Sequence, residues 1–340
     1  MFVLFGLLLE GVCIGKRIEY FNIYNTVKLL YNNNKICLNM AVDWLDYRMK
    51  IKTADKIKPF ILLMRPQHWI KNILLFAALV FSGQLFEIKQ TLLVFLGFIL
   101  FCMAASSIYI INDIFDLDND RYNENKCKRP IASGIISVKK ALTYDAMLML
   151  LTIIGSFALK RSYGLAVLAY ITINIIYTIG IKNIPFVELL SVASGYVLRV
   201  VSGAILADCP VSIWLIICTA CLSLFLVSEK RYGEIKEISL KGTQGRSVIQ
   251  RYNRRLLKTA SNLFAGFSML AYAIYSLLFS VSVLMVLTLP FAVFGILRYI
   301  HISDEGSISQ MPEAAIYKDK IMLITVLLWS LSCCIIIYFI

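Results

Sequence analysis

The chain has 340 residues, 59% hydrophobic and only 16% charged, with a formal net charge of +13 at pH 7. Soluble domains carry about a quarter charged residues, so this composition excludes an ordinary soluble domain and points to a polytopic membrane protein. In such a chain Lys and Arg report orientation and anionic headgroups, so the positive balance does not argue for nucleic acid as a partner.

Residues 1–57 stand apart. "MFVLFGLLLEGVCIG" is apolar but short, is interrupted by Glu10 and lacks a basic start. It is a poor signal peptide and too short to span a bilayer. A polar stretch rich in Asn and Lys follows, from Lys16 to Lys58, with Met40 and Met49 as alternative starts and an amphipathic arm as the other reading. The expected division is a 1–57 extension and a 58–340 membrane domain.

Nine apolar segments follow, near 60–83, 91–113, 139–159, 162–180, 185–206, 210–228, 258–279, 280–299 and 320–340. With the N-terminus inside, the inner loops are 113–139, 180–185, 228–258 and 299–320. They hold Arg121, Lys126, Lys128, Arg129, Lys182, Lys230 and Arg231 among others, against little beyond Lys89, Lys160 and Arg161 outside. That bias predicts a cytoplasmic N-terminus and puts both large polar loops on the cytoplasmic face.

In the first segment Arg65, His68, Trp69 and Asn72 fall at i, i+3, i+4 and i+7, one face of a helix, with Lys71 beside them. The second segment runs into "YIINDIFDLDNDRYNENKCKRPIASG" (Tyr109–Gly134). If its helix continues past Asn112, Asp113, Asp116 and Asp120 share a face while Asp118 points elsewhere. Like charges so stacked repel and need a cation. Carboxylate oxygens suit Mg²⁺ or Ca²⁺, and Mg²⁺ usually shares its shell with substrate phosphates. An EF-hand is excluded, because Arg121 replaces the loop glycine and Cys127 the bidentate Glu. Lys128 and Arg129 then return positive charge suited to phosphate oxygens.

Arg199 lies inside the fifth segment, more than a turn from either end, where a charge normally faces an interior cavity with a partner. Lys182 can reach the same cavity, and Glu188 is a candidate partner for an Arg or Lys. The nine cysteines are scattered, and Cys218-Thr219-Ala220-Cys221 falls mid-segment, where small buried hydrophobes are expected. Two histidines in the whole chain argue against a zinc site.

The run Asn112-Asp113-x-x-Asp116-x-x-x-Asp120, followed by Arg129-Pro130-Ile131 and Gly134, resembles the first aspartate motif of the UbiA superfamily of intramembrane prenyltransferases. The resemblance implies an all-α bundle of nine transmembrane helices around a central cavity. It also implies Mg²⁺-diphosphate held by two acidic motifs, the first by Asn112, Asp113, Asp116 and Asp120. This chain departs from the second motif: where D-x-x-x-D is usual it has "SEKRYGEI" (Ser228–Ile235).

That stretch, with "MRPQHWIKNILLFAALVFSG" (Met64–Gly83) and "YTIGIKNIPFVELLSVASGYVLRVVSGA" (Tyr177–Ala204), is similar to the decaprenyl-phosphate phosphoribosyltransferase branch of the superfamily. "FGILRY" and "PEAAIYKDK" near the C-terminus look like it too, so the resemblance covers roughly Lys58 onward. The branch implies transfer of 5-phosphoribosyl from phosphoribosyl pyrophosphate to a polyprenyl phosphate. That reaction gathers three phosphate clusters, which Lys and Arg must neutralise, Arg bidentately. The expected substrate-binding set is therefore Arg65, Lys71, Asn72, Lys128, Arg129, Lys182, Arg199, Lys230 and Arg231. The alternatives are a UbiA-type aromatic prenyltransferase, which the missing second acidic motif disfavours, and a transporter. A transporter wants acids near the bilayer midplane rather than at one edge.

Overall fold

The computed structural model describes residues 58–123, 126–210, 212–241, 247–280, 282–305 and 318–340. The expected 1–57 extension, residue 242 in the second polar loop and most of "PEAAIYKDK" lie outside the described residues. Every regular element among those described is helical. The α-helices of five residues or more are α1 (Lys58–Met64), α2 (Leu75–Phe81), α3 (Ile88–Phe115), α4 (Leu117–Arg121), α5 (Val138–Leu159), α6 (Arg161–Ile179) and α7 (Val187–Leu206), followed by α8 (Ile213–Lys241), α9 (Arg254–Ile274), α10 (Leu289–Glu305) and α11 (Lys320–Phe339).

Eight helices among the described residues are long and apolar enough to cross a membrane, not nine. The difference lies in the first segment, which is broken. Pro66 lacks an N–H and disfavours the α conformation in the residue before it. Arg65 leaves the α region but takes the left-handed one, at φ 52°, and the chain runs as a 3-10 helix over Pro66–Leu74 before α2 begins. The seventh segment also loosens at its end, where α9 passes into a π-helix at Tyr275–Phe279.

Two further departures bear on the site. α3 stops at Phe115, with Asp116 at φ −93°, ψ 7°, so the acidic residues do not ride one continuous helix. The Asp120 N–H still donates to the Asp116 carbonyl at 2.8 Å, which keeps α4 stacked on the end of α3. Conversely, "SEKRYGEI" is not in a loop: α8 continues through it to Lys241.

The large cores lie between helices. Leu75, Leu79, Phe101, Tyr163, Tyr170 and Leu206 join α2, α3, α6 and α7. Leu63, Ile110, Ile131, Ile136 and Leu148 pack beneath the acidic segment. Outward, Leu150, Leu151, Ile154, Leu327 and Leu331 are exposed in bands along α5 and α11. Apolar belts of that size are what a bilayer covers. α7 crosses close to the broken segment at Gly203, where a Cβ would meet the Leu75 carbonyl oxygen at 1.8 Å.

Candidate active site

The broken first segment lies along α3 as a ladder of side-chain contacts. Arg65 donates to Asp113, the rings of His68 and Tyr109 sit 5.2 Å apart, Trp69 donates to Ser106 at 3.0 Å and Asn72 to Cys102 Sγ at 3.1 Å. The four residues do face one partner, as their spacing predicted, although the segment is 3-10 rather than α. The αL turn at Arg65 aims its guanidinium at the mouth of α3.

Asp113 is 2% exposed and Asp120 1%. Arg129 Nη1 bridges them, 3.0 Å from Asp113 Oδ1 and bonded to Asp120 Oδ2. Lys126 Nζ stands 3.7 Å from Asp120. Lys182 Nζ reaches Asp116 Oδ1 at 2.5 Å from the α6–α7 connection. Three carboxylates are thus interleaved with Arg65, Lys126, Arg129 and Lys182. Lys128 is exposed beside this cluster, Asn112 is half-buried, and Asp118 is 93% exposed and turned away.

Among the described residues no three His, Cys, Asp or Glu side chains converge as ligands of a single ion. The donor chemistry nevertheless fits a hard divalent cation. Asp113 Oδ2 is buried with no hydrogen-bond partner, a cost that a metal ligand bond would remove. Among the described residues the side-chain partners of the Asp116 and Asp120 oxygens are cations, and phosphate can take those over.

Deeper in, Arg199 is 5% exposed and donates to Asn72 Oδ1 at 2.7 Å, the Gly195 carbonyl at 2.7 Å and Tyr170 Oη at 3.1 Å. Its guanidinium lies over the rings of Tyr170, Phe101 and Tyr196 at 4.9, 5.3 and 5.5 Å. It has the interior position expected of it, but its partners are neutral. Asn72 joins this group to the ladder, and Lys71 is half-buried on the same 3-10 turn.

The expected phosphate ligand Arg231 is placed differently. It is buried on α8 and gripped by two acids: Nε and Nη2 meet Glu188 at 2.9 and 2.8 Å, and Nη1 meets Glu234 at 2.9 and 2.8 Å. With its fork so committed, it is a structural tie between α7 and α8, and Lys230 is half-buried beside it. Sequence reasoning named Glu188 as a partner but missed Tyr252, which donates to Glu188 at 3.0 Å. It also missed the buried Glu229, which accepts from Ser261 (2.6 Å), Ser303 (2.7 Å) and Lys258 (3.1 Å). A carboxylate next to a basic pair at a helix end was the available signal for Glu229. Tyr252 had none, because its partner is 64 residues away.

Residues 73–331 match the model of the UbiA prenyltransferase family. The decaprenyl-phosphate phosphoribosyltransferase of Mycolicibacterium smegmatis is 30% identical over 291 residues, covering 80% of this chain and 90% of that one. The Corynebacterium glutamicum protein of the same name is 31% identical over 278 residues, covering 78% and 82%. In fold, a UbiA homolog from Archaeoglobus fulgidus bound to GPP and Mg²⁺ aligns with a TM-score of 0.61 over 82% of this chain and 96% of that one, at 18% identity. The multi-pass helical bundle, the acidic motif at the end of α3 and these matches agree: the chain is a membrane transferase that belongs to the UbiA prenyltransferase family.

Proposed function

We propose that this protein transfers 5-phosphoribosyl from phosphoribosyl pyrophosphate to a polyprenyl phosphate, releasing pyrophosphate, with Mg²⁺ as cofactor and the active site on the cytoplasmic side. The observation that carries this reading is the interleaving of Asp113, Asp116 and Asp120 with Arg65, Lys126, Arg129 and Lys182. A donor with one diphosphate calls for acids and metal. A donor and acceptor that together bring three phosphate groups call for a surplus of fixed cations as well. The relatives named for phosphoribosyl transfer support it.

Asp113 through Oδ2, Asp116, Asp120 and the Asn112 side-chain amide oxygen would hold Mg²⁺, which when bound acts as a Lewis acid on the pyrophosphate oxygens. Lys182 binds the pyrophosphate, and Arg65, Lys128 and Arg129 neutralise it as charge grows on it and the anomeric carbon becomes oxocarbenium-like. The lipid phosphate oxygen attacks that carbon. It is anionic at neutral pH, so no strong general base is required. Lys71 and Lys230 orient the lipid phosphate and the 5-phosphate, and the buried Arg199–Asn72 pair and Arg231 act at one remove, the first by fixing the broken segment against α7 and the second by fixing α8 against α7.

The test is a membrane assay that offers two pairs of substrates: phosphoribosyl pyrophosphate with polyprenyl phosphate, and prenyl diphosphate with an aromatic acceptor. Turnover of the first pair alone is expected. Turnover of the second alone would make the protein an aromatic prenyltransferase.

A further inference from the structure

The connection between α6 and α7 carries Lys182 and is held in an unfavourable shape. The Val187 N–H donates to the Pro185 carbonyl at 2.8 Å across Phe186, whose φ and ψ are 64° and −39°. A bond from i+2 to i across a residue with positive φ is the rare, strained hand of γ-turn. A non-glycine residue keeps such a geometry only where its surroundings over-determine it. Tyr252 supplies those surroundings. Its hydroxyl accepts the Phe186 N–H at 3.0 Å, and its ring packs edge-on against the Phe186 ring at 5.3 Å. The same hydroxyl donates to Glu188 Oε1 at 3.0 Å, and Glu188 is clamped by Arg231. Burial pushes the Tyr252 hydroxyl above its ordinary range, so it keeps the proton that it donates. Four residues before Phe186, Lys182 reaches Asp116.

We infer that Tyr252 is a positioning residue for the active site: it holds the γ-turn at Phe186 and thereby sets Lys182 against the acidic motif. The inference rests on the reading of Lys182 as part of the phosphate-binding set. It gives the segment after α8 a route to the first acidic motif without any contact with substrate. Glu188 is shared, so the Arg231 tie and the Lys182 connection form one unit.

Tyr252→Phe tests this because it keeps the ring and removes only the hydroxyl. The KM for phosphoribosyl pyrophosphate should rise about tenfold with kcat changed much less. The double variant Lys182→Ala/Tyr252→Phe should lie within about twofold of Lys182→Ala alone, because both remove the same contact. Independently of activity, hydrogen exchange on the purified protein should quicken in the peptide spanning residues 182–187. Additive losses in the double variant, unchanged exchange, or faster exchange with an unchanged KM would each overturn the inference. If the unaltered enzyme ignores phosphoribosyl pyrophosphate while this peptide still exchanges faster in Tyr252→Phe, the donor assignment falls and the hold of Tyr252 on the turn stands.

Discussion

Two arginines of this protein look alike in sequence and do opposite things. Arg129 sits 24% exposed between Asp113 and Asp120, where a phosphate can displace it from either acid. Arg231 is buried between Glu188 and Glu234 with nowhere to go. Removing one partner of a buried ion pair strands the other charge and costs about 3–5 kcal/mol. Arg231→Ala should therefore lower the thermal stability of the purified protein and its yield before it alters KM; a variant of unchanged stability with a raised KM would return Arg231 to the substrate. Asp116→Asn should behave in the reverse way. Its ion pair with Lys182 is partly exposed, so folding and insertion should survive. Turnover should fall on the order of a hundredfold or more, since charge-assisted contacts are worth about 1.5–3 kcal/mol each and a metal ligand is lost as well. The response to Mg²⁺ should weaken in parallel. Normal turnover with an unchanged Mg²⁺ titration would remove Asp116 from the metal site. The sequence made the acids legible because their spacing survives the break at Asp116. It could not tell Arg129 from Arg231, because that difference lies in which acids fold against each one.

At the scale of elements, the apolar runs located the helices within a few residues, but hydropathy did not mark where each helix breaks. Pro66 announced the first break. The end of α3 at Phe115 carried no such signal, and α8 ran 13 residues beyond its apolar part because Arg231–Glu234 and the Glu229 contacts keep that polar stretch packed. Close crossings are also visible only in three dimensions. Gly203 and Gly266 are both mid-helix glycines, yet a Cβ at Gly203 would strike the Leu75 backbone, and one at Gly266 would meet nothing within 4 Å. Backbone cannot swing aside as a side-chain tip can. Gly203→Ala should destabilise by about 1–3 kcal/mol or more through overpacking. Gly266→Ala should be neutral or gain up to about 1 kcal/mol from helix propensity. Thermal unfolding in one detergent reads both, and equal midpoints for the two variants would refute the close crossing of α7 and the broken segment.

For the whole molecule, sidedness decides where the donor comes from, and the positive loops predict it. α5 has 22 residues, about 33 Å of helix and one bilayer crossing. Tyr122, 90% exposed just after α4, and Ser162, exposed at the start of α6, therefore lie on opposite faces. In a background without native cysteines, Tyr122→Cys should react with an impermeant maleimide only in inside-out vesicles, and Ser162→Cys only in right-side-out ones. Activity supplies a second readout. Phosphoribosyl pyrophosphate carries too much charge to cross a bilayer unaided, so sealed inside-out vesicles should use it when it is added externally, and sealed right-side-out vesicles should do so only after permeabilisation. If the residue-122 cysteine is labelled from outside, the orientation is inverted and the acidic motif faces away from the cytosol. If labelling follows expectation but external donor is used by right-side-out vesicles, the donor enters from the Ser162 face, and the cluster of Asp113, Asp116 and Asp120 is not where it binds.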